Sequence, residues 1–350
     1  MLQLSLIRQQ PAFVKERLLV KNFDASAAVD SIGLLDEKRK NLQLELESAQ
    51  AGLNAISREI GQLMAKGEKE LAEEKKQEVA LIKAGLSPLQ EALDETDSQL
   101  QQILVTLPNL PSPEVPPGKK PEDNVIVREG GAWPKLPENP LAHWDLAKKY
   151  NLIDFDLGNK ITGSGFPVYI SKGAKLQRAL VQYFLDYNTA AGFTEYQPPL
   201  VVNEASAFGT GQLPDKEGQM YFVPEDKLYL IPTSEVPLTN MLRDMILKEK
   251  ELPVKMTAFT PCFRREAGSY GKDVRGLNRL HQFDKVEIVQ IVHPDKSYSA
   301  LDEMVWHVEK LLQSLNLPYR ILRLCGGDMS FASAITYDFE VYSAAQQKWL

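Results

Sequence analysis

The chain has 350 residues, 43% of them hydrophobic and 25% charged, with a net charge of −7. This is the make-up of an ordinary globular protein with room for about two domains, and the charge gives no general pull toward nucleic acid or anionic membrane. Its two cysteines, Cys262 and Cys325, stand far apart without CxxC or Cys/His spacing, which argues against a disulfide framework and a structural zinc site.

Residues 1–27 read as a small cap. Arg8, Lys15, Glu16 and Arg17 interrupt any signal-peptide core, and no run approaches the roughly 18 apolar residues of a membrane span. The expectation is a cytoplasmic protein with no membrane partner. A long heptad pattern follows. Leu35, Leu42, Ala49, Ile56 and Leu63 recur every seventh residue, with Leu46, Leu53 and Ile60 in the second seam position, up to a turn at Gly67. Ile82, Leu89, Thr96 and Ile103, with Leu86, Leu93, Leu100 and Leu107, form a second run. Two such helices joined by a few residues fold back as an antiparallel hairpin, each arm on the order of 50 Å long. Pro88 predicts a kink or break in the second helix. A scaffolding coiled coil explains this pattern as well as a functional arm does. Residues 1–105 hold 13 Lys/Arg against 17 Asp/Glu, so charge does not mark a nucleic-acid binder.

The six prolines of "PNLPSPEVPPGKKP", residues 108–121, predict a semi-extended linker between a helical region, 1–107, and a second domain, 122–350. Beyond it the sequence alternates β-like runs, glycine turns and isolated amphipathic helices. This predicts an α+β domain on an antiparallel sheet flanked by helices. Residues 173–193 predict a helix with Leu176, Leu180, Val181 and Phe184 on one face and Gly192 at its end.

The densest chemistry lies in "FRREAGSYGKDVRGLNRLHQFDKVE", residues 263–287. Strand alternation puts Cys262, Arg264 and Glu266 on one face before the loop. After it, Arg279, His281, Phe283, Lys285 and Glu287 share a face. Arginine's rigid fork fits phosphate, Phe283 offers a ring for a base to stack on, and carboxylates accept from amines. A nucleotide beside a zwitterionic amino acid fits this set, while an exposed salt-bridged hairpin explains any one member as well.

The string resembles motif 2 of class II aminoacyl-tRNA synthetases, in detail that of bacterial-type seryl-tRNA synthetases. The cap and hairpin resemble that family's tRNA-binding arm. Residues 173–191 with "GFTEYQPPLVV" resemble motif 1, which forms much of the family's dimer interface, and "IPTSE", residues 231–235, resembles its serine loop. The resemblance implies a serine–tRNA ligase using ATP and Mg²⁺. Its partners are serine, ATP, serine tRNA and possible selenocysteine tRNA, and a second copy as homodimer. Arg264 and Glu266 are implied as catalytic, with Arg264 on the α-phosphate and Glu266 facing the adenine amine. Arg265, Arg279, Leu280 and Phe283 complete the ATP site, Phe283 by stacking on the base. Thr233, Ser234, Glu235 and Glu287 form the serine site, with Glu287 on the ammonium. Lys272 and Arg275 meet ATP or the tRNA acceptor end. His281 serves equally well as a strap for the hairpin or a participant; His143, His293 and His307 read as structural. No metal ligands are expected within this chain. The family's motif 3 is not found before Leu350, so a fragment with little activity alone is expected. A non-catalytic synthetase-like RNA-binding or scaffolding protein is the alternative.

Overall fold

The computed structural model describes residues 2–215, 218–265 and 275–350. The chain divides into two compact units. One comprises Met1–Val125 with Arg323–Thr336, and the other Ile126–Leu322 with Tyr337–Leu350.

The first unit contains α1 (Leu4–Gln9), α2 (Pro11–Leu19), α3 (Ser26–Lys66) and α4 (Lys69–Leu104). The predicted heptad positions of α3 and α4 are all buried or half-buried, and the seam continues toward the tip through Val79, Lys75 and fully buried Ala72. Gly67 makes the reversal with φ +83°, and its neighbour Glu68 donates its backbone N–H to Leu63 O at 3.0 Å. This left-handed turn satisfies the last carbonyls of α3. Of the kink or break expected at Pro88, the break is not found, because α4 runs on as one helix. Leu86 and Leu89 lie half-buried on either side of the proline. Burial all along the seam offsets the roughly 3 kcal/mol a mid-helix proline costs.

The base of the hairpin holds the apolar core, where Ile7, Val14 and Leu18 meet Val29, Ile32, Leu100, Leu104 and Leu107. Asp36 is buried among these helices at 3% exposure and meets three cations: Arg8 at 2.7 Å, Lys40 at 3.0 Å and Arg39 at 3.1 Å. Burial pushes its carboxyl up, but those hydrogen bonds outweigh it and hold the pKa at about 2. Residues 323–336 also join this unit. Lys21 Nζ donates to the carbonyls of Ser330, Phe331 and Ser333 at 2.9, 3.2 and 2.7 Å.

The second unit begins with β1 (Val125–Gly130). It carries α5 (His143–Lys149), β2 (Ile153–Asp154), α6 (Phe155–Ile161), β3 (Val168–Tyr169) and α7 (Lys172–Ala190). Then come β4 (Thr194–Glu195), β5 (Val201–Asn203), α8 (Glu204–Gly209), β6 (Phe222–Val223), β7 (Leu228–Leu230) and α9 (Glu235–Asn240). The last elements are β8 (Val254–Phe263), β9 (Gln282–Ile291), α10 (Ser297–Ser314), β10 (Tyr319–Arg323), β11 (Tyr337–Ser343) and β12 (Lys348–Trp349). The strands form sheets ordered β1-β10-β11-β12, β2-β3, β4-β8-β9 and β5-β7-β6. The short β4–β8 contact is parallel, whereas β8–β9, β5–β7, β6–β7, β2–β3 and β11–β12 are antiparallel. The α+β architecture with an antiparallel core and a helical hairpin is thus as expected.

The β8–β9 hairpin is the spine of the unit. Its register runs unbroken from Val254↔Ile291 to Phe263↔Gln282. On one face Met256 and Ala258 bury against Leu238 of α9 and Val289. On the other, Thr257 Oγ1 donates to Glu287 O at 2.7 Å and accepts from Asn188 of α7 at 3.0 Å. His307 Nε2 of α10 lies 2.8 Å from Asn188 Oδ1. Since the amide nitrogen of Asn188 is spent on Thr257, its oxygen accepts from His307. His307 is therefore structural, as expected.

Helix α7 covers its predicted apolar face unevenly. Gly173, Leu185 and Asn188 are its buried residues, with Val181 and Phe184 half-buried beside them. Leu176 and Leu180, expected on the same face, are 56% and 37% exposed, as is Tyr183 at 39%. The apolar surface of α7 is wider than this unit alone covers.

Candidate active site

The site face is the outer half of the β8–β9 hairpin. Residues opposite one another across an antiparallel pair share a face. Cys262 pairs with Phe283, Thr260 with Lys285 and Ala258 with Glu287. The predicted alternation therefore holds for Cys262, Phe283, Lys285 and Glu287, while Arg264, Arg279 and His281 stand just beyond the paired strands.

The loop after β7 is tied to the end of this hairpin through the backbone. Phe263 N–H donates to Ile231 O of that loop at 2.9 Å, and Arg265 N–H donates to Gln219 O, ahead of β6, at 2.8 Å. That register carries "TSE" across the face of β9. Thr233 Oγ1 donates to Glu287 Oε2 at 2.7 Å, and Lys285 Nζ lies 2.7 Å from the same oxygen and 3.1 Å from Thr233 Oγ1. Thr233 is buried, and Lys285 and Glu287 are half-buried. Glu235 N–H caps back onto Thr233 Oγ1 at 3.2 Å. The Glu235 side chain reaches the surface yet is crowded by protein. Its carboxyl is raised first by desolvation and then by the charge of Glu287, with Lys285 opposing. Ser234 is fully buried, and its Oγ has no hydrogen-bond partner among the described residues. Thr233, Glu235 and Glu287 thus come together around a lysine that sequence reading put on the right face without giving it a task. The signal was available, since Lys285 and Glu287 are two apart on one strand.

At the nucleotide end, the Arg264 guanidinium lies 5.1 Å from the centre of the Phe283 ring. Arg264 N–H donates to His281 O at 2.9 Å, closing the hairpin one step beyond the strands. His281 Nδ1 lies 2.9 Å from Arg264 O and 2.9 Å from Tyr221 Oη, and its ring stacks on Phe166 at 5.4 Å and 7°. A carbonyl only accepts, so Nδ1 carries the proton and the imidazole is a strap on the hairpin. Arg265 is exposed, 5.8 Å from the Tyr221 ring. Arg279 is exposed and Leu280 half-buried just before β9. Cys262 is buried on this face, and burial pushes its thiol up, away from nucleophilic use.

Glu266 and Lys272 lie outside the described residues. Past residue 274, the Arg275 guanidinium sits 4.9 Å from the Trp144 ring, and Leu277 N–H donates to His143 Nε2 at 2.7 Å. Burial lowers the His143 pKa, which suits a neutral, accepting ring. Gly276, at φ +72°, lies so close to that ring that a Cβ would stand 2.1 Å from Nε2. Arg275 is therefore moored on α5 in this structure.

Residues 1–111 match the seryl-tRNA synthetase N-terminal domain family, and residues 222–350 match the class II tRNA synthetase core domain of the G, H, P, S and T type. The serine–tRNA ligase of Salinibacter ruber is 47% identical over 350 residues, which is all of this chain and 82% of that protein. The chain belongs to the seryl-tRNA synthetase family. The family places it among the class II aminoacyl-tRNA ligases. The serine–tRNA ligase of Acidovorax ebreus is 48% identical over 366 aligned residues, covering all of this chain and 83% of that protein. Among solved structures, the seryl-tRNA synthetase of Pyrococcus horikoshii complexed with ATP superimposes with a TM-score of 0.90 at 32% identity, covering all of this chain and 82% of that one. Among the described residues no helix is long and apolar enough to cross a membrane.

Proposed function

We propose that this seryl-tRNA synthetase family member activates serine with ATP on the face of β8–β9 and transfers the seryl group to serine tRNA held by its helical arm. The observation that carries the reading is the cluster of Thr233, Glu235, Lys285 and Glu287, on the same strand face as Phe283 and Arg264. One end of that face offers two carboxylates and a hydroxyl for an ammonium group. The other offers an aromatic ring and a guanidinium for a nucleotide. Arg264, Arg265 and Arg279 meet the phosphates, Phe283 stacks on the base with Leu280 beside it, and Glu266 accepts from the exocyclic amine. Thr233, Ser234, Glu235 and Glu287 surround serine.

The chemistry asks for positioning rather than acid–base exchange. The serine carboxylate is already a nucleophile. Its oxygen bonds to the α-phosphorus as the bridging bond to pyrophosphate breaks, and Arg264 neutralises charge that builds on the phosphoryl oxygens. A terminal ribose hydroxyl of the tRNA then displaces AMP from the seryl carbonyl. The resemblance also brings Mg²⁺. Among the described residues no group of three or more His, Cys, Asp or Glu is placed to hold a metal ion, so no step is derived through it.

The seam of α3 and α4 holds a rod about 60 Å long at 1.5 Å per residue, suited to reach along a tRNA. A homodimer through α7 belongs to the same reading, because Leu176, Leu180 and Tyr183 present apolar surface. So does a cytoplasmic location. Titration calorimetry with serine, threonine and alanine tests the site. Serine is expected to bind at least about tenfold more tightly than either analogue. Equal binding of all three overturns the assignment.

A further inference from the structure

We propose that Lys285 holds Glu287 only until serine arrives, and that the substrate ammonium then displaces it, freeing the lysine to pair with the substrate carboxylate. This deepens the serine-site reading above and rests on it.

Three observations lead there. First, Lys285 Nζ stands where a substrate ammonium belongs, 2.7 Å from Glu287 Oε2 and 3.1 Å from Thr233 Oγ1. An ammonium ligand cannot take the same oxygen by the same approach while the lysine stays. Second, Phe283, Lys285 and Glu287 are successive residues of one face of β9, spaced about 7 Å apart at twice the strand rise. A base on Phe283 and an ammonium on Glu287 leave the junction between them over Lys285, and that junction is where the amino-acid carboxylate meets the α-phosphate. Third, Lys285 is half-buried, with 34% of its side chain exposed. Displacing a partly desolvated cation without a new partner is unfavourable, and a zwitterion supplies one. The four-carbon stem allows the ammonium to swing while the backbone stays in register.

The exchange therefore balances for an amino acid and not for a plain amine. A ligand with an ammonium but no carboxylate has to evict Lys285 from Glu287 and leave it only its weaker interaction with Glu235. Lys285 becomes a specificity-determining residue that checks for the carboxylate, although Glu287 grips the other end.

Calorimetry with serine and serinol, which lacks the carboxylate, reads this directly. The wild-type chain is compared with Lys285→Met, and Lys285→Gln supplies the same readout should the methionine variant not fold. The preference for serine over serinol is expected to fall about tenfold in the variant, and serinol is expected to bind the variant about fivefold more tightly than wild type. A preference within about twofold of wild type overturns the proposal, as does weaker serinol binding by the variant. A wild-type chain that binds no serine overturns the serine-site reading itself, a separate outcome.

Discussion

Asp36 in the helical unit and Glu235 in the candidate site are both carboxylates crowded by protein, and they are treated in opposite ways. Asp36 meets three cations and is driven down to about 2. Glu235 shares one lysine with Glu287, and its carboxyl is raised. The helical unit supplies more positive charge than its carboxylate needs, so the charge is spent within the fold. The site supplies less, so the remaining negative charge is left for a ligand. A carboxylate short of counter-charge inside a cleft marks function with a physical reason attached.

The contrast is open to attack at several points. The largest expected effect is on Glu287. Glu287→Gln keeps the shape, removes the charge, and weakens serine binding about a thousandfold by calorimetry, since an interfacial charge pair loses its partner. A loss below about tenfold would show that Glu287 is structural, like Asp36. Next comes the arm. Deleting residues 30–105 lowers affinity for serine tRNA about a hundredfold in a gel shift, and equal binding removes the arm from tRNA recognition. Asp36→Ala follows, expected to cost about 2 kcal/mol in chemical denaturation at neutral pH without altering serine affinity. The sign follows from a depressed carboxyl. The contribution of Asp36 is present above the ordinary carboxylate range and is lost as pH falls toward about 2, so acid titration of the variant is flatter there. The smallest effect is pH-dependent serine binding. Because the Glu235 carboxyl is raised, its ionised form appears only as pH climbs past the ordinary range, and serine affinity rises with it by a few-fold (about 3). Glu235→Gln removes that rise; a wild-type affinity already flat in pH would take Glu235 out of the site.

How much of this was legible beforehand depended on sequence distance. The heptads of α3 and α4 could be read because a seam repeats locally, and local repetition is what periodicity detects. The faces of β8 and β9 could be read for the same reason, which put Phe283, Lys285 and Glu287 on one side of β9. The pairing of Lys285 with Glu287 was legible in the same way, but its contact with Thr233 was not, since Thr233 is 52 residues away on another strand's exit loop. The counter-charge of Asp36 includes Arg8, 28 residues upstream and on a different helix. In α7 the wheel identified apolar residues correctly but could not say which were covered. Leu176 and Leu180 lie one stripe away from the buried Leu185 and Asn188. At Pro88, local propensity pointed to a kink or a break; α4 has no break there, because burial along the whole seam offsets the cost of the proline.

The clasp of Lys21 on Ser330, Phe331 and Ser333 sets a timetable. Lys21 and Ser330 are 309 residues apart in the chain, so a ribosome that has finished the helical hairpin has not yet made the carbonyls that complete its base. Nascent domains generally fold as they emerge, N-terminal first, and contacts of such long range come late. The first unit to appear is thus among the last to be finished, and a stall anywhere before residue 330 leaves a folded rod on an open base.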